Sequence, residues 1–108
     1  MLSSMAWTWL FLAGLLEIAW AIGLKYSQGF TRPLASLLTI IGMLASFWFL
    51  SIALKTLPVG TGYAVWTGIG AVGTTILGVI LFSEPVTAIR LLSIGLIIAG
   101  IIGLKVGS

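Results

Sequence analysis

The polar positions of this chain are few, and they fall in clumps. Between them run apolar stretches of roughly Met5–Leu24, Pro33–Leu54, Val59–Phe82 and Val86–Leu104, each near the ~17–25 residues that carry an α-helix across a bilayer. The clumps are Lys25–Arg32, Lys55–Pro58 and Ser83–Pro85, short connections punctuated by Gly29, Pro33, Pro58 and Pro85. The apolar runs are continuous and do not alternate over the ~10 residues of a barrel strand. The pattern therefore predicts an all-α integral membrane protein: a single domain over residues 1–108, with four transmembrane helices at roughly 5–24, 33–54, 59–82 and 86–105 in up-down-up-down order. Trp7, Trp9 and Tyr26 stand near the ends of the first span, where amphipathic rings favour the headgroup level.

Composition strengthens this reading. Hydrophobic residues make up 60% of the chain and charged residues 6%, with a mean hydropathy of +1.27, where a soluble domain carries about a quarter charged residues. Cysteine and histidine are both absent. Disulfides, thiolate chemistry and the usual transition-metal ligands are thereby excluded, and neither a metal nor another cofactor is expected. The net charge of +3 comes from five basic residues scattered one or two at a time, not from the basic patch that nucleic acid requires. Ala19-Trp20-Ala21 imitates a signal-peptidase site, but Glu17 interrupts the apolar stretch and no charged n-region precedes it, so the first helix is expected to stay.

Lys and Arg normally mark the cytoplasmic side of a membrane protein. One side of this chain holds Lys25, Arg32 and Arg90, and the other holds Lys55 and Lys105 with the terminal amine. That bias is too small to fix one orientation. The expectation is insertion in both directions, which permits an antiparallel homodimer.

Glu17 lies near the middle of the first span. A charged group there costs about 2.5–3.5 kcal/mol on insertion scales, and such residues face a bundle interior or an aqueous cavity. No Lys or Arg falls at comparable depth in any span. Since desolvation penalises the charged form, a carboxyl of this kind takes up either a proton or a cation. Two copies brought together would couple their protonation. The bland reading is a protonated or hydrogen-bonded structural carboxyl.

Residues three and four apart share a helix face, so Ala13, Gly14, Trp20 and Ala21 line up with Glu17. The small ones leave space, while Trp20 offers an aromatic face to a cation or an indole N–H to the carboxylate. Thr39, Gly42 and Ser46 form one stripe in the second span, and Tyr63, Trp66, Thr67 and Gly70 another in the third. Ser46 can equally bond across helices or back to its own backbone, and Trp20 can equally be a packing residue. Gly68, Gly70 and Gly73 match G-x-G-x-x-G without the preceding strand or the acid about 20 residues on that a nucleotide fold needs. They read as packing positions or a hinge in a membrane helix. Gly95, Ala99, Gly100 and Gly103 give the fourth helix a small-residue surface, suited to a seam between subunits or within one chain.

The chain resembles the small multidrug resistance family, and within it the guanidinium-exporter branch. The likeness covers almost the whole chain and rests on Gly14-Leu15-Leu16-Glu17-Ile18-Ala19-Trp20-Ala21, Leu24-Lys25-Tyr26, Gly29-Phe30-Thr31-Arg32, the segment from Leu57 to Gly70, and Gly103-Leu104-Lys105. The resemblance implies an antiparallel, dual-topology homodimer in the bacterial inner membrane that exports guanidinium ion, and small substituted guanidines, in exchange for protons. Proton and cation would compete for Glu17. By the same resemblance Trp20, Ser46, Tyr63 and Trp66 orient the glutamates and line the pocket, and Gly14 leaves room for substrate. The planar cation suits this chemistry, because its N–H fork matches a carboxylate and its face stacks on aromatic rings. Two features depart from the family: a few extra residues before the first helix, and Gly62 where alanine is expected beside Tyr63. Gly62 would loosen the third helix and broaden what the site accepts.

Three other functions compete. The same exchanger could act on quaternary ammonium or other hydrophobic cations, which lack N–H donors and need a roomier pocket. A non-transporting membrane subunit would pair Glu17 with a basic residue of another protein. An enzyme is not expected, for want of a second membrane-embedded acid, a His or a Cys to complete a catalytic set.

Overall fold

The computed structural model describes residues 2–107, with side chains from Met5 onward. Four α-helices follow one another: α1 (Leu2–Ser27), α2 (Pro33–Ala53), α3 (Val59–Phe82) and α4 (Ala88–Val106). All four are long and apolar enough to cross a membrane, the shortest measuring about 28 Å at 1.5 Å per residue. The chain is a multi-pass membrane protein, and among the described residues it contains no strand.

Local chemistry sets the helix ends. α1 outlasts its apolar run, continuing through Lys25 and Tyr26 to Ser27, where headgroups and water no longer penalise polar side chains. The buried Ser27 hydroxyl donates to the Leu24 carbonyl at 2.8 Å and accepts from the Phe30 N–H at 3.2 Å. Gln28, Gly29 and Phe30 then turn the chain in left-handed backbone, with φ of 48°, 71° and 65°, which only the glycine adopts without steric cost. Pro33 opens α2 in the first-turn position, where its missing N–H costs nothing. α4 begins at Ala88, two residues after the start of the apolar run, because Thr87 caps it: its Oγ1 accepts from the Arg90 N–H at 3.1 Å. From Leu2 onward the extra N-terminal residues are part of the first helix; the terminal amine lies outside the described residues.

α1 is the central element. It packs along α2 on one side and α3 on the other, α2 and α3 meet only briefly, and α4 packs along α3, reaching α1 through Lys105, whose ammonium lies 4.9 Å over the Trp7 ring. The molecule is a slab of 41 × 35 × 17 Å, less than two helix diameters thick. Its hydrophobic core is Ala6, Leu10 and Ala13 of α1, with Ala53, Leu57, Val65 and Trp66 in the same cluster. Lipid tails are as apolar as leucine, so close packing must supply what hydrophobicity supplies in water. Glycines make that possible. Gly42 of α2 meets Trp20, Gly73 of α3 receives Ile18, and Gly68 receives Ile101 and Ile97 of α4. By contrast, Gly95, Gly100 and Gly103 of α4 face open space, and α4 has no buried residue.

A side chain at position 73 must displace Ile18. Gly73→Leu is expected to destabilise the chain by about 1–3 kcal/mol, the usual cost of overpacking, in reversible unfolding from mixed micelles. Gly60→Ala, at a position with nothing within 4 Å, should leave the midpoint unchanged or slightly raised.

Candidate functional site

The two acidic residues of the chain are Glu17 and Glu84, and Glu17 alone lies within a helix. Its side chain leaves α1 toward α3 and lies directly over Gly70, where an added Cβ would occupy the position of the carboxyl group. Glu17 Oε1 is buried and makes no hydrogen bond. The carboxyl borders a cleft of about 250 Å³ lined also by Ala21, Thr67, Gly70, Ala71 and Thr74. No Lys or Arg lines this cleft, and Lys25, the next basic residue of α1, is two turns away.

Trp20 follows one turn after Glu17. Its indole Nε1 is likewise buried without a partner, and its ring meets Phe47 edge-on at 6.4 Å between centroids. Phe47 lies 5.8 Å from Trp66, and Trp66 lies 5.7 Å from Tyr63. An aromatic row thus runs from α1 through α2 to α3. It ends at Tyr63, which is 55% exposed.

Behind the row stands a buried polar junction. The Trp66 Nε1–H donates to Ser46 Oγ at 2.9 Å, and Ser46 Oγ donates in turn to the Ala13 carbonyl at 2.7 Å. In an α-helix that carbonyl also accepts the N–H of residue 17. Three helices are therefore tied together one turn before the carboxyl. With its single proton committed to Ala13, Ser46 has none to donate to Glu17 in this arrangement.

The structure brings Ser46, Trp66 and Tyr63 together and joins Trp20 to them through Phe47, while none of these four hydrogen-bonds Glu17 within one chain. Gly14 faces Ile69 of α3, where an added Cβ would come within 2.6 Å of Cγ2; in this chain its bareness serves helix approach. Gly62 is buried and holds the Leu54 side chain, so it too fills a packing position. Phe47 and Thr74 were not singled out from the sequence. Extending the Thr67–Gly70 stripe by one turn reaches Thr74, whereas a lone Phe among lipid-facing residues gives no signal. Among the described residues no three acidic, His or Cys side chains gather as metal ligands would. The arrangement leaves a buried carboxyl oxygen free to accept and, one turn on, a buried indole N–H free to donate.

Comparison with known proteins finds similarity over nearly the full length. A family model described as Small Multidrug Resistance protein matches residues 5–97. Proteins named guanidinium exporter are similar to this chain in Yersinia pseudotuberculosis (61% identical over 104 residues, covering 96% of this chain and 100% of that protein) and in Citrobacter freundii (60%, covering 96% and 99%). Another, from Proteus vulgaris, is 59% identical, covering 96% and 100%.

The Trp66–Ser46–Ala13 junction makes a stability prediction. In a double-mutant cycle, Ser46→Ala and Trp66→Phe should show a coupling of about 1 kcal/mol, within the range of interhelical hydrogen bonds in membranes. Purely additive effects in mixed-micelle unfolding would contradict the junction.

Proposed function

This chain belongs to the small multidrug resistance family, and we propose that it exports guanidinium ion across the bacterial inner membrane in exchange for protons, working as an antiparallel homodimer of dual-topology subunits. The single observation that carries the proposal is Glu17: a carboxyl inside a membrane helix, over a glycine, with a buried oxygen that nothing in its own chain neutralises. The exporters named above, about 60% identical, supply the cargo that fits it.

The chemistry follows from the site. A carboxylate out of water is stable only when its charge is matched, and here either a proton or a guanidinium does the matching. The two exclude each other, so the arrival of one releases the other on whichever side the site is open. Guanidinium presents a planar N–H fork to the carboxylate and a flat face to Trp20, Tyr63 or Trp66. Ser46 and Trp66 hold α2 and α3 in register beside it. By family resemblance Gly14, whose bare face meets Ile69 within one chain, borders the substrate site, and Gly68, Gly70 and Gly73, which seat Ile101, Glu17 and Ile18 in this conformation, are the positions where α3 would bend or repack during transport.

The slab shape favours a dimer, because one chain 17 Å thick cannot surround a cation. The open glycines of α4, Gly95 and Gly100 among them, give the second copy a close-packing surface. The balance of Lys25, Arg32 and Arg90 against Lys55 and Lys105 supports insertion in both orientations.

A runner-up keeps the mechanism and changes the cargo to quaternary ammonium or other hydrophobic cations. The aromatic row through Phe47 favours it. Electrical currents from reconstituted vesicles separate the two: guanidinium gradients should evoke current, and Glu17→Gln should reduce it to the level of protein-free vesicles. Undiminished guanidinium current in Glu17→Gln would refute the proposal, and current from tetraalkylammonium alone would transfer it to the runner-up. A compartment-sensitive reporter fused to the C-terminus should give signal on both sides of the membrane; signal from one side alone would rule out dual insertion.

A further inference from the structure

The cleft at Glu17 does not end at α1's middle. A second cavity of about 220 Å³ continues toward the C-terminal ends of α1 and α3, bordered by Ala21, Lys25, Thr74, Gly78, Phe82 and Glu84. Ala21 and Thr74 line both cavities. On α1 the wall is Glu17, Ala21 and Lys25, one face over two turns, about 12 Å at 1.5 Å per residue. On α3 it is Gly70, Thr74 and Gly78. Thr74 Oγ1 is buried without a hydrogen-bond partner, so a polar atom stands unclaimed midway along the groove.

At the outer end lies the other acid of the chain. Glu84 sits in the α3–α4 connection, yet its carboxyl folds back over Gly78, where an added Cβ would overlap it. The backbone enforces this turn: Ser83 is left-handed at φ 55°, and the Gly78 carbonyl accepts both the Ser83 and the Glu84 N–H. Glu84 already holds a guanidinium, that of Arg90. One bond joins them, from Arg90 Nη2 to Glu84 Oε1 at 3.1 Å, with the side chains 32% and 41% exposed. Arg90 Nε is buried and unpaired, so the fork is not used in full. A single-contact, partly hydrated pair is weak and replaceable. Lys25 does not compete for the carboxyl; its ammonium lies 5.5 Å over the Phe82 ring.

We propose that Glu84 is a second, outer station for the transported cation at the mouth of the α1–α3 groove, and that the Arg90 side chain occupies it as an internal stand-in until a guanidinium displaces it. The inference rests on the export reading above and adds a site to it. A free guanidinium presents the same donors as Arg90, without the tether that keeps Arg90 to one bond. Displacing Arg90 places the cation within reach of Thr74 and then of Glu17.

The two members of the pair therefore act in opposite directions. In vesicle currents, Glu84→Gln should raise the half-saturating guanidinium concentration about threefold, and Glu84→Asp, which keeps the charge but shortens the reach, should raise it less. Arg90→Gln should lower it about threefold, because the stand-in is gone. Arg90→Lys keeps the positive charge but loses the fork, and should fall between Arg90→Gln and the unmodified protein. The double variant Glu84→Gln/Arg90→Gln should match Glu84→Gln. A pair that is merely structural would move both sides in the same direction, and a mere surface field would leave Arg90→Lys at the unmodified value. Either result, or unchanged values throughout, overturns the outer station while Glu17→Gln remains silent. Guanidinium current in Glu17→Gln would instead overturn the export reading itself.

Discussion

A carboxyl in the middle of a membrane helix must be given room before it can be given a partner, and the packing of α1 follows from that requirement. Glu17 stands over Gly70, and any larger residue there would take its place. Helix α3 must consequently turn its glycine-bearing face to α1. Ile69 falls against Gly14 and Ile18 against Gly73 on either side of the acid, so three contacts within little more than one turn of each helix set α1 and α3 in one register. Gly42 against Trp20 brings α2 to the other side of α1, which is thereby the middle helix.

The remaining polar groups divide into two kinds. Some are closed: Ser46 is saturated between Trp66 and the Ala13 carbonyl, Ser27 bridges the first connection, and Thr87 caps α4. These satisfy the rule that a polar group in a dry environment needs a partner. Others are open: Glu17, Trp20, Ser36, Thr74 and Arg90 each keep a buried polar atom without one. Glu17 and Thr74 line the α1–α3 cleft and Trp20 follows one turn after its acid, whereas Ser36 on α2 and Arg90 on α4 lie away from it; the closed groups hold helices and turns in place. Under the export proposal the open groups of the cleft are those that meet cargo, and their lack of internal partners is what allows the cargo to leave again.

The four helices were legible in the sequence because a bilayer dictates the length of an apolar run, and Glu17 was legible because a charge there is costly. Their ends were less so. α1 outlasts its apolar run by a turn, and α4 waits for the Thr87 cap. The glycines of the G-x-G-x-x-G segment could be read as packing positions but not assigned to partners. At 100° per residue, Gly68 and Gly70 face nearly opposite ways, one to α4 and the other to Glu17, which a motif read as a unit conceals. Ser46 was noticed for its hydroxyl, yet its acceptor is a backbone carbonyl, and carbonyls leave no mark in a sequence. The Glu84–Arg90 pair joins a connection to the first turn of a helix, a geometry with no fixed spacing to look for.

The thickness of the slab bears on what the site needs. A cation held by Glu17 has α1 and α3 on one side, but a layer less than two helices deep leaves its other side to lipid. An ion half wrapped by hydrocarbon is not a stable state. The uncovered small-residue face of α4, the exposed edge of Tyr63 and the open cleft beside Glu17 are then one deficiency seen in three places. Under the proposed assembly, a second copy supplies the missing wall and brings its own carboxyl with it, so the dimer and the binding site arise from the same requirement. Opposite orientation of the copies would further place a Glu84 mouth on each side of the membrane, giving the cation an equivalent outer station at entry and at exit.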